Sequence, residues 1–164
     1  MKAVTGCYSY HCGFLMQDTQ MFYDMFWMRR RKPWASVMNQ PNHAGSVFKI
    51  IDSPVEIPEQ YLIDRILNNN THYGVIDYIR FGFRWAYHLV GKTTPNANGT
   101  ICSEMINEDL IAHHWHVVYK EVPSPCDLIK GLTDIHCRSK LAFGKDVPQL
   151  DIDTLQALSA KEVV

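Results

Sequence analysis

The chain has 164 residues, 46% of them hydrophobic and 20% charged, which are ordinary values for one globular domain with a substantial core. The formal net charge is −1, so the total charge gives no reason to expect a nucleic acid partner. The longest apolar stretch, residues 75–90, is too short and too charged to span a bilayer, because it contains Asp77, Arg80, Arg84 and His88.

The cysteines and the N-terminal residues indicate the cellular compartment in which the protein is expected. The five cysteines are an odd number, and their spacing does not indicate a disulfide framework, so a reducing compartment is expected. Residues 1–5 lack the basic start and apolar core of a signal peptide. These features predict a soluble protein that is either cytoplasmic or associated with a phage particle.

The first third of the chain predicts a strand followed by a helix. Residues 2–16 are rich in β-forming residues and predict a strand. Asp18 or Thr19 is a candidate N-cap for a helix that Pro33 would end. The basic run 29–32 is then interpreted as the solvated end of that helix. Its apolar stripe would comprise Phe22, Met25, Phe26 and Trp27.

A second strand is predicted at residues 43–51. Alternate residues of a strand share a face, so His43 is expected on the face of Gly45 and Val47, where the glycine would let another element approach closely. The short segment "VEI", which carries Glu56, is a candidate return strand after a turn.

Helices are predicted over much of the remaining chain. "PEQYLIDRIL" predicts a short helix, and residues 73–90 predict a largely buried helix whose narrow polar seam is interpreted as a solvated edge. A further helix is expected to begin near Cys102, with Ile106, Leu110 and His113 on the same inward face. "HVVYKEV" predicts a strand and "PSPCDLIKGL" a turn and short helix, while the pattern weakens from Ser139 onward.

The cysteine at the start of a helix has the clearest chemical potential. A free thiol has a pKa of about 8.5, but the unpaired amides of a helix N-terminus and a nearby imidazolium both stabilise its thiolate. Glu104 lies two residues further on and is expected to point away from the sulfur. Among eight histidines, His43 is distinguished by its strand start and nearby glycine, although a core or loop role remains open on composition alone.

Two segments resemble a known family. "NHAGSVF" and "TICSEMINEDL" resemble the histidine strand and the cysteine helix of NlpC/P60-type papain-like enzymes. The order in which His43 precedes Cys102 is that of the circularly permuted branch, which includes the YiiX/YebB-like proteins and the lecithin retinol acyltransferase group. "YGVIDYIRFGF" before the cysteine and "PSPCDL" after it agree with the same pattern, so the resemblance covers residues 6–132. Ser46 departs from it, because an apolar residue is usual there.

The resemblance implies an α+β, permuted papain-like fold, with a small antiparallel sheet packed against helices and the nucleophile at a helix N-terminus. It implies Cys102 as nucleophile, His43 as general base and acid, and Glu56, thirteen residues later, as the group that orients the histidine. The Cys102 amide would be one oxyanion donor; the second is not identified. The domain would occupy residues 1–140, and residues 141–164 would be a C-terminal tail or accessory segment.

The implied reaction is acyl transfer to water through a thioester, with no cofactor or metal. The substrate would be a peptide, amide or acyl ester, such as a cell-wall peptide, and virion or cell-envelope association is possible for a phage-encoded member. Two alternatives remain. One is a metal site in the dense cluster His113, His114, His116, His136 and Cys137, which lacks the usual spaced ligand pairs. The other is a non-catalytic papain-like structural or binding component of a phage particle, in which Cys102 is merely buried.

Overall fold

Two small antiparallel sheets and five helices build the described part of the chain, which confirms the predicted α+β class. The structure is a computed structural model that describes residues 11–68, 74, 79, 83–93, 100–115, 119, 122–135, 137–149, 152–153 and 156. Of the predicted strand at "HVVYKEV", most residues lie outside the described part.

The first sheet is a three-stranded meander at the N-terminal end of the chain. Its strands are β1 (Gly13–Met16), β2 (Met21–Met25) and β3 (Arg29–Pro33), in the order β1-β2-β3. Gly13 pairs with Asp24 across β1 and β2, and Met25 pairs with Arg29 across β2 and β3.

The helix predicted from Asp18 or Thr19 to Pro33 is therefore wrong, as is the basic run as its solvated end. The apolar residues of this segment fit a helical stripe by spacing, but β2 finds hydrogen-bonding partners on both of its edges, and such pairing overrides local propensity. Phe26, Trp27 and Met28, at the β2–β3 turn, are exposed rather than part of a core-facing stripe.

The second sheet joins distant parts of the chain. β4 (Val47–Ile51) pairs antiparallel with β5 (Ser139–Phe143), from Val47 opposite Phe143 to Ile51 opposite Ser139. The predicted second strand is thus confirmed from Val47 only, and residues 55–57 form no return strand. β5 lies across the domain boundary predicted at residue 140. This strand was not predicted, because the sequence pattern is weak there and its partner strand β4 lies about 90 residues earlier in the chain.

The helices are α1 (Trp34–Met38), α2 (Glu59–Leu67), α3 (Arg84–Leu89), α4 (Cys102–Ala112) and α5 (Pro125–Asp134). α2, α4 and α5 confirm predicted helices. Ser124 caps α5, because its hydroxyl accepts the Asp127 amide N–H while the Asp127 carboxylate accepts that of Ser124. α1 was not predicted; it begins directly after Pro33, a residue that fits a helix start.

The predicted helix over residues 73–90 is described only in part. α3 forms its C-terminal end and Ile79 is also helical, whereas Asp77 and Arg80 lie outside the described residues. Ile79, Phe83, Leu89 and Val90 are exposed, so the expectation of a largely buried helix is wrong for this part.

The core forms around α4, which packs against β1, β2 and α5. Ile106 and Leu110 are buried, as predicted, and their neighbours in the core include Met25, Leu62 and Leu128. None of the helices within the described residues combines the length and apolar character needed to cross a membrane. The packing of α4 on the first sheet brings its N-terminus to the end of the sheet at which β1 begins.

Candidate active site

Cys102 is the first residue of α4 and is only 3% exposed. The preceding residue, Ile101, is extended, and its amide N–H lies 3.4 Å from the Glu104 carboxylate that accepts it. This bond closes the first turn and directs the Glu104 carboxylate back to the residue that precedes the helix. The sulfur therefore lies in the one turn of α4 whose amides have no acceptor within the helix.

His11 and Cys12, immediately before β1, are the groups that act on the Cys102 sulfur. The Cys12 side chain, the Cys12 backbone and the His11 ring each favour the thiolate form of this sulfur. Cys12 and Cys102 are both free cysteines. One short segment thus favours the charged form of the cysteine at the start of α4.

A carboxylate and a guanidinium extend this arrangement behind the histidine. His11 Nε2 lies 2.9 Å from Asp24 Oδ2. Arg30 Nε and Nη2 donate to the two oxygens of the same carboxylate, at 2.6 and 2.9 Å. Such a two-pronged arginine contact fixes the plane of the carboxylate. The three side chains form a continuous series of contacts, His11–Asp24–Arg30.

These contacts shift the pKa of each group toward its charged form. The hydrogen bond from Cys12 is the largest influence on Cys102; together with the bond and charge of His11 it outweighs burial and lowers the pKa of the Cys102 thiol to about 5. Burial opposes the charge on His11, but Asp24 and Cys102 raise its pKa to about 9. Burial likewise opposes the charge on Asp24, yet Arg30 and His11 lower its pKa to about 2.

The two shifts favour a thiolate at Cys102 and an imidazolium at His11. Cys12 responds in the opposite sense, because its hydrogen bond to the Cys102 sulfur and its burial raise its pKa well above that of an ordinary thiol. These shifts favour the thiolate form at Cys102 and the thiol form at Cys12.

Gly13 allows the two strands of this site to approach. A Cβ at this position would lie 2.5 Å from the Tyr23 carbonyl oxygen and equally close to Phe22 Cζ. Gly13 pairs directly with Asp24. The absence of a side chain at Gly13 lets β2 lie against β1, and this places the Asp24 carboxylate beside the histidine two residues before the glycine.

A buried ion pair fixes α4 to the first sheet on another side. Arg29, on β3, donates from Nη1 to Asp109 Oδ2 at 2.6 Å, and both side chains are buried. Tyr61 and Arg65, on α2, lie 3.1 and 3.3 Å from Asp109 Oδ1. Arg29 and Arg30 are neighbours on one strand and face opposite directions, so the same strand contacts α4 through Arg29 and the Asp24 carboxylate through Arg30.

The structure places His43 away from this cluster. It ends a 3₁₀ turn (Pro41–His43) rather than opening a strand, its Nδ1 lies 2.8 Å from the Val37 carbonyl oxygen, and its ring packs edge-on against Phe48. Gly45 also has a different role from the expected one. It adopts a left-handed φ of 71°, and nothing lies close to where its Cβ would be.

Glu56 is exposed in the loop between β4 and α2. No described hydrogen bond or ion pair joins it to His43 or to Cys102. Of the three predicted site residues, only Cys102 is therefore part of the cluster. The contacts predicted for His43 and Glu56 are made by His11 and Asp24.

The sequence does contain a signal for the missed residues. "YHCGF" holds a second His-x-Gly pattern, His11-Cys12-Gly13, directly before a strand, and Asp24 follows the histidine by 13 residues. Glu56 follows His43 by the same interval. The helix predicted up to Pro33 conflicts with this pattern, because Asp24 then would not pair with Gly13 on a neighbouring strand.

Two residues of the alternative metal cluster, His116 and His136, lie outside the described part of the chain. Within the part of the chain that the structure describes, no three His, Cys, Asp or Glu residues are grouped as a metal site would require. Cys126, on α5, is disulfide-bonded, which differs from the expectation of a wholly reduced set of cysteines. Cys12, Cys102 and Cys137 are free.

Comparisons with known proteins give no relative. No protein-family model matches the chain, and neither a curated protein nor a solved structure shows significant similarity to it.

Proposed function

We propose that this chain is a cysteine hydrolase that cleaves an amide or ester bond through a thioester on Cys102. The observation that carries the proposal is the contact series His11–Asp24–Arg30, together with the mutual electrostatic influence of His11 and Cys102. It supplies a nucleophile, a proton-transfer group and an orienting carboxylate in the order that acyl transfer requires.

In the first half of the reaction, the Cys102 thiolate attacks the substrate carbonyl carbon. The negative charge that develops on the carbonyl oxygen lies near the free amides of the first turn of α4, and the Cys102 N–H is one donor to it. The protonated His11 ring gives its proton to the leaving amine or alcohol as the carbon–heteroatom bond breaks, and the acyl group remains on sulfur.

In the second half, His11 is neutral and can accept a proton. It removes this proton from a water molecule as the water attacks the thioester, and the acid leaves as the carbon–sulfur bond breaks. Asp24 keeps the His11 ring in place and stabilises its imidazolium form, and Arg30 fixes Asp24. The cycle ends with the thiolate and imidazolium restored.

The order of these residues supports a permuted papain-like fold. In that branch the histidine precedes the cysteine, and His11 precedes Cys102 as His43 does. The histidine adjoins a strand, the orienting residue lies on the next strand, and the sheet packs against the helix that begins at the cysteine. With this assignment the fold suggests an amide of a cell-wall peptide, or a related ester, as substrate.

The second candidate function is a non-catalytic papain-like component, for example of a phage particle. The 3% exposure of Cys102 favours it, since structural cysteines are typically buried. Burial alone, however, raises the pKa of a thiol. A cysteine that serves only in packing does not require a histidine paired with a carboxylate beside it. The hydrolase proposal therefore explains more features of the site than the non-catalytic candidate does.

Acylation with an activated ester tests the proposal. Wild-type protein treated with p-nitrophenyl acetate should release nitrophenolate in a burst and carry one acetyl group, which peptide mapping should place on Cys102. Cys102→Ser and His11→Gln should lose the burst, while Cys137→Ser, a change at another free cysteine, should keep it. An unlabelled Cys102, or one that reacts no faster than a free thiol, would support the non-catalytic candidate.

A further inference from the structure

The turn between β2 and β3 exposes three consecutive apolar side chains. Met25 pairs with Arg29 at the end of the strand pair, and the Phe26 N–H donates to the Met28 carbonyl oxygen at 3.3 Å. Phe26, Trp27 and Met28 are 51%, 63% and 56% exposed. These three residues are called the hairpin tip below.

The hairpin tip is held in place by contacts with the strands. The rings of Phe26 and Trp27 pack edge to face, with their centroids 5.9 Å apart. The guanidinium carbon of Arg30 lies 4.5 Å from the centroid of the Phe26 ring, and the same guanidinium binds the Asp24 carboxylate. The tip is therefore an ordered apolar surface at the end of the hairpin.

The strand that follows the hairpin tip is basic. β3 carries four consecutive cations, residues 29–32, and the first two are bound by buried carboxylates. Arg31 is exposed and acts on the Glu59 carboxylate. Lys32 is half-buried and forms no ion pair with any residue that the structure describes. Positive charge thus remains available on the strand beside the apolar tip.

We propose that the hairpin tip is a docking site for the surface of an anionic lipid bilayer. Three side chains, each about half exposed, present roughly 300–400 Å² of surface. Each partner of a standard protein interface contributes about 800 Å², so the tip alone is too small for a second copy or another protein. A bilayer needs no complementary shape. Aromatic side chains favour its interface, and nearby cations attract anionic lipids.

The dimensions of the hairpin fit this contact. A strand rises about 3.3 Å per residue, so Lys32 lies within roughly 13 Å of Met28 along β3. Apolar groups that lie in a bilayer interface enter it by about 5–10 Å. The flexible side chain of Lys32 can therefore reach the lipid phosphates while Trp27 and Met28 enter the boundary between headgroups and acyl chains.

This inference goes beyond the proposed hydrolase and does not depend on it. A protein that forms no acyl-enzyme can still bind vesicles, and an active hydrolase can fail to bind them. The two proposals are therefore separated by a binding assay in which no substrate is present.

The experiment mixes the full chain with sucrose-loaded vesicles and measures the fraction of protein that sediments with them. Wild-type protein should sediment with mixed phosphatidylcholine and phosphatidylglycerol vesicles. It should sediment less with phosphatidylcholine alone, and added salt should weaken the binding to the mixed vesicles because it screens the charges.

Variants with matched controls locate the contact. Trp27→Ala should weaken binding roughly tenfold, the factor expected from burial of one large apolar side chain. Leu67→Ala is its control, because Leu67 is 75% exposed on α2. Lys32→Gln should weaken binding to the mixed vesicles about fivefold, whereas Lys140→Gln, a change of an exposed lysine on β5, should not.

Trp27→Phe distinguishes insertion of the hairpin tip from adsorption of another surface. This variant keeps an aromatic ring and should still bind. The difference in emission between wild type and Trp27→Phe comes from Trp27, one of four tryptophans in the chain. Brominated phosphatidylcholine should quench this difference emission in the vesicle-bound protein.

The wild-type protein decides the proposal even if a variant fails to fold. Absence of wild-type protein from the sedimented mixed vesicles would overturn it, as would a Trp27 emission that brominated lipid leaves unchanged. Self-association that Trp27→Ala abolishes would assign the tip to a second copy instead. Vesicle binding that Leu89→Ala loses and Trp27→Ala keeps would assign the contact to the exposed residues at α3 and would also overturn it.

Discussion

His11 Nε2 lies 2.9 Å from Asp24 Oδ2, and through this contact a carboxylate on β2 orients the ring that favours the Cys102 thiolate. Replacement of Asp24 by Asn should leave the strand pair intact but remove the negative charge beside the imidazolium. We expect acyl transfer to fall by about 10²- to 10⁴-fold, as when the orienting aspartate of a catalytic triad is lost.

The burst with p-nitrophenyl acetate measures this effect. Asp134→Asn is the matched control, because Asp134 is an exposed residue paired with Lys130 far along α5. Equal burst rates in Asp24→Asn and the control would contradict a role for Asp24 in orienting His11.

The reactivity of Cys102 should depend on pH in a way that an isolated thiol would not show. Its pKa is lowered to about 5, first by the hydrogen bond from Cys12 and then by His11. The thiolate is present above that pH, so the rate of alkylation by iodoacetamide should reach half its plateau near the same value. His11 loses its proton near its own pKa of about 9, so the hydrolytic rate should fall there.

Cys12→Ala and His11→Gln should each move the midpoint of alkylation upward, because each removes a donor to the thiolate. The measurement is a series of alkylation rates at constant ionic strength, read at Cys102 by mass spectrometry. A wild-type midpoint near that of an ordinary thiol, about 8.5, would disprove the ion pair.

Arg30 should protect the protein against acid. Arg30 and His11 lower the pKa of Asp24 from 3.8 to about 2, so this carboxylate contributes stability that is complete above 3.8 and is lost as the pH falls through about 2. Arg30→Gln raises the pKa of folded Asp24, and acid unfolding should therefore begin at a higher pH.

Circular dichroism during acid titration measures the shift. Arg30→Lys should give an intermediate result, because lysine keeps the charge but loses the two-pronged contact. Arg138→Gln supplies the control for loss of an arginine elsewhere. Identical acid transitions in Arg30→Gln and wild type would show that Asp24 does not depend on Arg30.

The Arg29–Asp109 pair should be important for stability. Asp109 is fully buried and accepts from Arg29 at 2.6 Å. Asp109→Ala leaves the buried Arg29 guanidinium with only its 3.5 Å contact to the half-exposed Glu108, and it should lower the free energy of unfolding by about 3–5 kcal/mol. Disruption of the exposed Lys130–Asp134 pair by Lys130→Ala should cost about 1 kcal/mol or less.

Urea denaturation of the two variants gives this comparison. If Asp109→Ala lowers the free energy of unfolding no more than Lys130→Ala does, the Arg29–Asp109 pair is solvated in solution.

Gly13→Ala should weaken the contact between β1 and β2. The added Cβ would lie 2.5 Å from the Tyr23 carbonyl oxygen, so the strands must separate, at a cost of about 1–3 kcal/mol. Gly45→Ala meets no neighbour and should cost only the strain of its left-handed backbone, about 1 kcal/mol. The nitrophenolate burst should slow in Gly13→Ala and not in Gly45→Ala, because Gly13 pairs with Asp24. An unchanged burst in a stable Gly13→Ala protein would contradict a role of this pairing in placing Asp24.

Several local features could be predicted because their causes are local. α2, α4 and α5 have helical spacing and recognisable starts, and Cys102 follows a turn-rich segment at the point where α4 begins. The hairpin of β2 and β3 could not be predicted in this way, since its apolar residues satisfy both a helical and an extended pattern. β5 was missed because its partner β4 lies far earlier in the chain.

The amino-acid sequence by itself indicated the candidate nucleophile, since a cysteine at the first turn of a helix lies beside free amides that favour its thiolate. Only the tertiary structure decided which histidine serves it. The two His-x-Gly segments, at His11 and at His43, have nearly equivalent sequence patterns, and each histidine is followed thirteen residues later by an acidic residue. The packing of α4 on β1 and β2 brings one of them to the sulfur, and the 3₁₀ turn holds the other against Val37 and Phe48.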